Sequence, residues 1–219
     1  MNTLTKMALG LIGQLKPEIA TGDAETTIHL PKPKTHGGMP LMQAFQSRQS
    51  QRDFDPAPLP TQTLSNLLWA AGGVNRPSLG GRTVPSAMNA QEVIIYVALP
   101  AGVYRYEPVA HVLHLVNASD VRRVTGYQDF VDNAPLDLVF VADHTRMKLV
   151  PTTQREAYAS VAAGAMSQNV YLFCAAFDLA TVIRAWIDRD ALARALALDS
   201  DQQVLLSQTV GMPKHGAGP

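Results

Sequence analysis

The sequence predicts an α+β domain, and three observations carry that expectation. Strand-like runs cluster in mid-chain as a meander with tight turns. One long helix pattern, at 153–177, dominates the second half. Helices and strands are mixed without regular βαβ alternation, and no internal repeat is present.

Residues 1–40 read as an N-terminal arm, one or two amphipathic turns followed by Pro31, Pro33, Gly37, Gly38 and Pro40. An arm of this composition packs poorly on its own domain, so it is expected to be mobile or laid across a partner. The domain proper is 41–219. Leu41, Met42, Ala44 and Phe45 pattern a helix at 41–47. Pro56, Pro58 and Pro60 stiffen a connection, Thr61 caps a helix at 62–71, and Gly72 and Gly73 end it. A loop rich in Gly, Pro and Ser covers 75–89. Strands follow at 92–99, 102–107 and 111–116, then short helices at 118–124 and 127–133.

The continuous apolar run 136–142 suits a central strand buried on both faces. In the 153–177 helix, Tyr158, Val161, Ala162, Met166 and Val170 occupy more than one face. A helix apolar nearly all round is central in its domain or shared with a second subunit. A strand at 181–185, a helix capped by Asp188 and running to 198, and a strand at 202–210 complete the chain.

At 219 residues, 47% hydrophobic and 16% charged, the chain is globular and long enough to bury a core. Lys+Arg and Asp+Glu are 18 each, so no global field recruits nucleic acid or an anionic membrane, and any anion site must be local. No apolar run is long enough to span a bilayer. Met7–Gly13 is too short for a signal peptide and is followed by Lys16 and Glu18, which points to a cytoplasmic protein. The single cysteine, Cys174, lies in an apolar helical run and reads as core. His111 and His114 are three apart in a strand pattern, which sets them on opposite faces and argues against joint metal ligation.

Three stretches carry chemistry. In 47–54, Arg48, Ser50 and Arg52 alternate, so in an extended segment they share a side and can converge on an anion. A solvated charged turn explains the same residues. In 85–91, Asn89 and Gln91 offer donors and acceptors suited to a heterocycle edge, with Pro85 and Ser86 fixing the turn; a loop satisfying its own backbone is the alternative. In 210–214, Gly211 permits close backbone approach and Lys214 is a point charge able to meet a phosphate. P-loop, dinucleotide-fingerprint, nucleophile-elbow and zinc-protease motifs do not occur.

Taken in order and spacing, these stretches resemble the nitroreductase family of flavoproteins, over about 31–214. The hairpin Gly102-Val103-Tyr104-Arg105-Tyr106 and the segment 164–188 are similar to the branch that oxidises thiazolines and oxazolines in modified peptides (SagB/ThcOx type). The resemblance implies a mostly antiparallel sheet flanked by helices, in an intertwined homodimer with two FMN sites at the interface. By that resemblance Arg48, Gln49, Ser50 and Arg52 would hold the phosphate, ribityl chain and pyrimidine edge. Pro85, Ser86 and Asn89 would come from the other subunit. Val182, Ile183 and Arg184 would lie near the reactive flavin edge, and Gly211 with Lys214 near the phosphate.

The implied activity is ping-pong hydride transfer from NAD(P)H through flavin N5 to a nitroaromatic, quinone or similar small acceptor. No side chain is needed as nucleophile or general base. Oxidation of a heterocycle or peptide is the alternative enzyme reading. The Lys-Tyr pair of that branch has no counterpart in 148–158, which speaks against it. A flavin-binding dimer without turnover is the third reading. The G-x-P-K ending is followed by His215 rather than a second Lys or Arg, which shifts the phosphate's charge onto Arg48 and Arg52.

Overall fold

A computed structural model describes residues 1–214 and organises them around one seven-stranded sheet. The sheet strands are β1 (Thr27–His29), β2 (Val93–Leu99), β3 (Gly102–Glu107), β4 (Val112–Asn117), β5 (Leu136–Asp143), β6 (Ala180–Arg184) and β7 (Gln202–Gly211). Their order is β6-β7-β5-β2-β3-β4-β1, and every neighbouring pair is antiparallel. The helices are α1 (Thr3–Leu11), α2 (Leu41–Ser47), α3 (Thr61–Gly72), α4 (Thr152–Ala176) and α5 (Arg189–Ala195). The α+β expectation holds, with the sheet antiparallel throughout.

Strand alternation builds two cores on opposite faces. Val93, Ile95 and Val97 of β2 and Leu138 and Phe140 of β5 pack with α3 and α4, through residues such as Leu67 and Met166. Ile94, Tyr96, Val139 and Val141 pack the other way, against Leu192 of α5 and Val124. Burial on both faces is why 136–142 lacks a polar alternation. Cys174 is a core residue, and burial pushes its thiol up.

Three local expectations are corrected. The first 40 residues do not form an arm that packs poorly on its own domain. α1 docks through Lys6, whose Nζ pairs with Asp132 and donates to Gln128 O at 2.8 Å, while β1 joins the sheet edge by pairing with β4. Thr61 is the first helical residue rather than the cap; Pro60 holds the cap position, and no side chain caps there. The two short helices are 3₁₀ turns, Arg122–Thr125 and Asp129–Asp132, because each run is too short to close repeated α-helical bonds. Asp188 does cap α5, accepting from Ala191 N at 2.9 Å.

His111 precedes β4 rather than lying in it, with φ 55°. Ser65 Oγ donates to Pro31 O at 2.6 Å, so it accepts from His111 Nε2, and Nδ1 faces the Tyr106 hydroxyl at 2.8 Å. This chain suits a neutral imidazole, and burial lowers the His111 pKa. A lowered folded-state value gives stability that is present above the unfolded pKa and lost on acidification. Thermal midpoints of the wild type should therefore fall between about pH 7 and about pH 5, and the His111→Gln variant should lack that component.

Candidate active site

The segment after α2 is extended and held on both sides by main chain. Gln51 N donates to Thr181 O at 3.0 Å on edge strand β6. On the other side Asp55 N donates to Met212 O at 2.9 Å, Phe54 bridges to Pro213, and Lys214 N donates to Asp53 O at 3.2 Å. Gly211 allows this closeness, since a Cβ there would lie 2.8 Å from the Pro135 ring and 3.2 Å from Phe54. The fold thus brings 48–52, 181–184 and 211–214 together.

Alternation sorts the side chains of this segment. Arg48 places its guanidinium carbon 5.2 Å from the centroid of the Tyr171 ring, and Ser50 Oγ lies 2.8 Å from the Tyr171 hydroxyl. Ser47, Gln49 and Gln51 line a cleft of about 180 Å³ with Met39, Asp178, Thr181 and Pro213, and Tyr171 itself forms part of its wall. Arg48 is half-buried, while Arg52 and Lys214 are exposed. None of the three has a carboxylate within ion-pair distance among the described residues. Arg48 lies beside Ser50 at Tyr171, and Arg52 and Lys214 sit on adjoining backbone; such cation and hydroxyl donors are of the kind a phosphate ester with a polar tail would take.

Tyr171 is a site residue that sequence reasoning missed. Its hydroxyl accepts from Ile183 N at 3.0 Å, a donor that edge strand β6 directs away from β7. Tyr171 therefore ties α4, β6 and the arginine segment at one point. Nothing in an apolar helical run marks one tyrosine as having such partners. Tyr171→Phe keeps the ring under Arg48 and orphans the Ile183 N–H. A cost of about 1–3 kcal/mol follows, and calorimetry should show a midpoint lower by roughly 2–12 °C.

The residues expected at the reactive edge divide. Val182 packs with Phe54 and Ala134 in a small core, and the Ile183 side chain is partly exposed. The Arg184 side chain is not available to a ligand. It is buried, ion-paired to Asp137, and donates to Thr125 O at 3.0 Å. Asp137 also accepts from the Thr209 hydroxyl. Gly126 makes room for this, since a Cβ there would lie 2.1 Å from Arg184 Nη1. Burial pushes the Asp137 carboxyl up, opposed chiefly by the Arg184 guanidinium.

Pro85, Ser86 and Asn89 lie elsewhere. Their loop is held from within: Gln91 N donates to Ser86 Oγ at 2.9 Å, and Gln91 Nε2 to Asn89 Oδ1 at 3.2 Å. Met88, Asn89 and Gln91 are all left-handed, with φ of 53°, 52° and 51°. Pro85 and Ser86 border a recess with Tyr158, Val161 and Ala162 of α4, whereas Arg48 and Ser50 meet Tyr171. Nine to thirteen residues of helix put these places roughly 14–20 Å apart in one chain. Within a single chain the two sets sit on different parts of α4.

Comparison with known proteins gives a consistent result. The model of the Nitroreductase family matches residues 45–212. A protein of Methanocaldococcus jannaschii, provisionally named a nitroreductase, is 31% identical over 154 residues, covering 65% of this chain and 77% of its own. A Ralstonia eutropha crystal structure, also provisionally described as a nitroreductase, is 52% identical with a TM-score of 0.88, covering 91% of this chain and 95% of its own. The fold is shared with the NADPH:FMN oxidoreductase of Vibrio harveyi in complex with NAD+ (18% identity, TM-score 0.60, 82% and 72% covered).

Proposed function

Because the chain belongs to the nitroreductase family, we propose that it is an FMN-dependent oxidoreductase taking hydride from NAD(P)H and passing it to a small acceptor. What supports this is the backbone pairing that sets Lys214 next to the 48–53 segment, whose Arg48 and Arg52, like Lys214, have no carboxylate partner among the described residues, beside the cleft lined by Gln49 and Gln51. When bound, FMN supplies the hydride chemistry at N5, alternately accepting from nicotinamide and donating to a nitroaromatic, quinone or related acceptor.

The chain's own residues bind and orient. Arg48 and Arg52 offer planar guanidinium forks to phosphate and the pyrimidine edge, and Lys214 adds a point charge. Gln49 and Ser50 hold the polar chain, with Tyr171 fixing Ser50 in place. The partly exposed Ile183 side chain would offer apolar surface at the reactive edge while buried Val182 anchors that strand, and Gly211 lets the β7 end approach. Asp137 keeps the Arg184 charge inside the fold, away from the ring.

A homodimer is part of the proposal. Pro85, Ser86 and Asn89 lie too far along α4 to serve the same flavin as Arg48, so they would serve the partner's. Exposed apolar residues support a second copy: Leu41, Met42 and Phe45 on α2, and Val161, 74% exposed, on α4. Anaerobic stopped-flow mixing with NADH and NADPH tests the reaction. Rapid bleaching of bound flavin, then reoxidation by an acceptor, is expected; flavin reduced by neither nucleotide would contradict it.

A further inference from the structure

A second concentration of positive charge lies on the other part of the sheet, at a gap between two strands. The β2–β3 ladder stops at Tyr96 opposite Arg105, whereas β2 continues along β5 as far as Val93 opposite Ala142. Extending the register would set Ile94 against Glu107 and Val93 against Pro108, which has no N–H to give. The strands part there. The opening is a slot of about 30 Å³ lined by Val93, Ile94, Arg82, Arg105, Glu107 and Arg146. That is room for about two waters, so an oxyanion would enter with only some of its oxygens and keep the rest at the open mouth.

The three arginines come from separate places: the short strand Gly81–Arg82 ahead of the 85–91 loop, β3, and the turn after β5. Arg146 is partnered by Asp143 at 3.1 Å. Glu107 is the one carboxylate lining the slot, and its Oε1 accepts from Val109 N at 3.0 Å. Arg105 and Arg82 have no carboxylate within ion-pair distance among the described residues. Arg82 is half-buried and donates only to neutral oxygens, Gln91 Oε1 at 2.8 Å and Gly72 O at 3.2 Å. Burial, then the nearby Arg146 charge, both work against its ionised form. Glu107 favours the Arg82 charge from across the slot without reaching ion-pair distance, so three guanidiniums share one lining carboxylate and Asp143, which leaves a net positive charge.

We propose that this slot binds a small tetrahedral oxyanion of the phosphate class, held by Arg82, Arg105 and Arg146. A planar carboxylate presents two oxygens and meets one fork, whereas three guanidiniums arriving from three elements suit oxygens pointing in several directions. Occupancy also bears on the loop beside it. Arg82 and Arg146 hold Gln91 by its side chain and carbonyl, and Gln91 in turn holds Ser86 and Asn89. An anion between the arginines would stiffen the 85–91 loop.

Calorimetric titration of FMN-saturated protein with inorganic phosphate, against chloride at equal ionic strength, tests this. Saturable binding of one phosphate per chain is expected, with a raised thermal midpoint. Arg105→Glu, an exposed position that leaves the Arg82–Gln91 contacts in place, should weaken binding by about tenfold or more. The Arg48→Ala/Arg52→Ala double variant should bind phosphate at this slot as the wild type does. Titrated without FMN, that variant has lost the Arg48 and Arg52 charges, so phosphate bound by it reports the slot whether or not the FMN assignment holds. Absence of saturable phosphate binding, or equal binding by Arg105→Glu and wild type, would overturn the proposal.

Discussion

On the proposed reading, replacing Arg48 and Arg52 together by alanine should yield a colourless protein that is still folded and has the same size in solution as the wild type. Each charge-assisted contact contributes about 1.5–3 kcal/mol, so losing both lowers FMN affinity by roughly two to four powers of ten. The fold should tolerate the change. Arg52 is exposed, and Arg48 contributes a cation–π contact with Tyr171 worth about 0.5–1 kcal/mol. The main-chain bonds from Gln51 to Thr181 and from Lys214 to Asp53 are untouched. Flavin content by absorbance, with size by light scattering, reads the result. Stoichiometric FMN retained by the double variant would remove these residues from the site.

Asp137→Ala should be the most destabilising single change. It leaves the Arg184 guanidinium buried without its carboxylate and takes the acceptor from the Thr209 hydroxyl. Breaking a buried ion pair from one side costs about 3–5 kcal/mol, which for a chain of this size is a midpoint lower by roughly 6–20 °C. The double replacement Asp137→Leu/Arg184→Met removes both charges and should recover most of the loss. Differential scanning calorimetry distinguishes these outcomes. A single variant within the wild-type midpoint would mean that the pair is not a structural centre of this part of the sheet.

Elements set by local pattern were legible in the sequence. The 92–99, 102–107 and 136–142 runs became strands with at most one residue changed at either end, and the 153–177 helix is Thr152–Ala176. The alternation of Arg48 and Ser50 was legible for the same reason, a period of two in extended chain. What was missed depends on partners far along the chain. Lys6 looks like a solvated charge until it reaches Gln128, 122 residues away. The first 40 residues, rich in Pro and Gly, gave no local sign that Thr27–His29 would pair with β4. Arg184 looked available because its acid, Asp137, is 47 residues distant, and no helical or strand periodicity links the two. Tyr171 hid in an apolar helix for the same reason.

The flavin assignment itself rests on one material fact that can be measured directly. The protein purified from its expression host, or incubated with excess FMN and desalted, should show flavin absorption with one FMN per chain, two per dimer. Addition of NADH or NADPH without oxygen should bleach it. A folded protein that shows no flavin bands after such incubation would contradict the account at its centre.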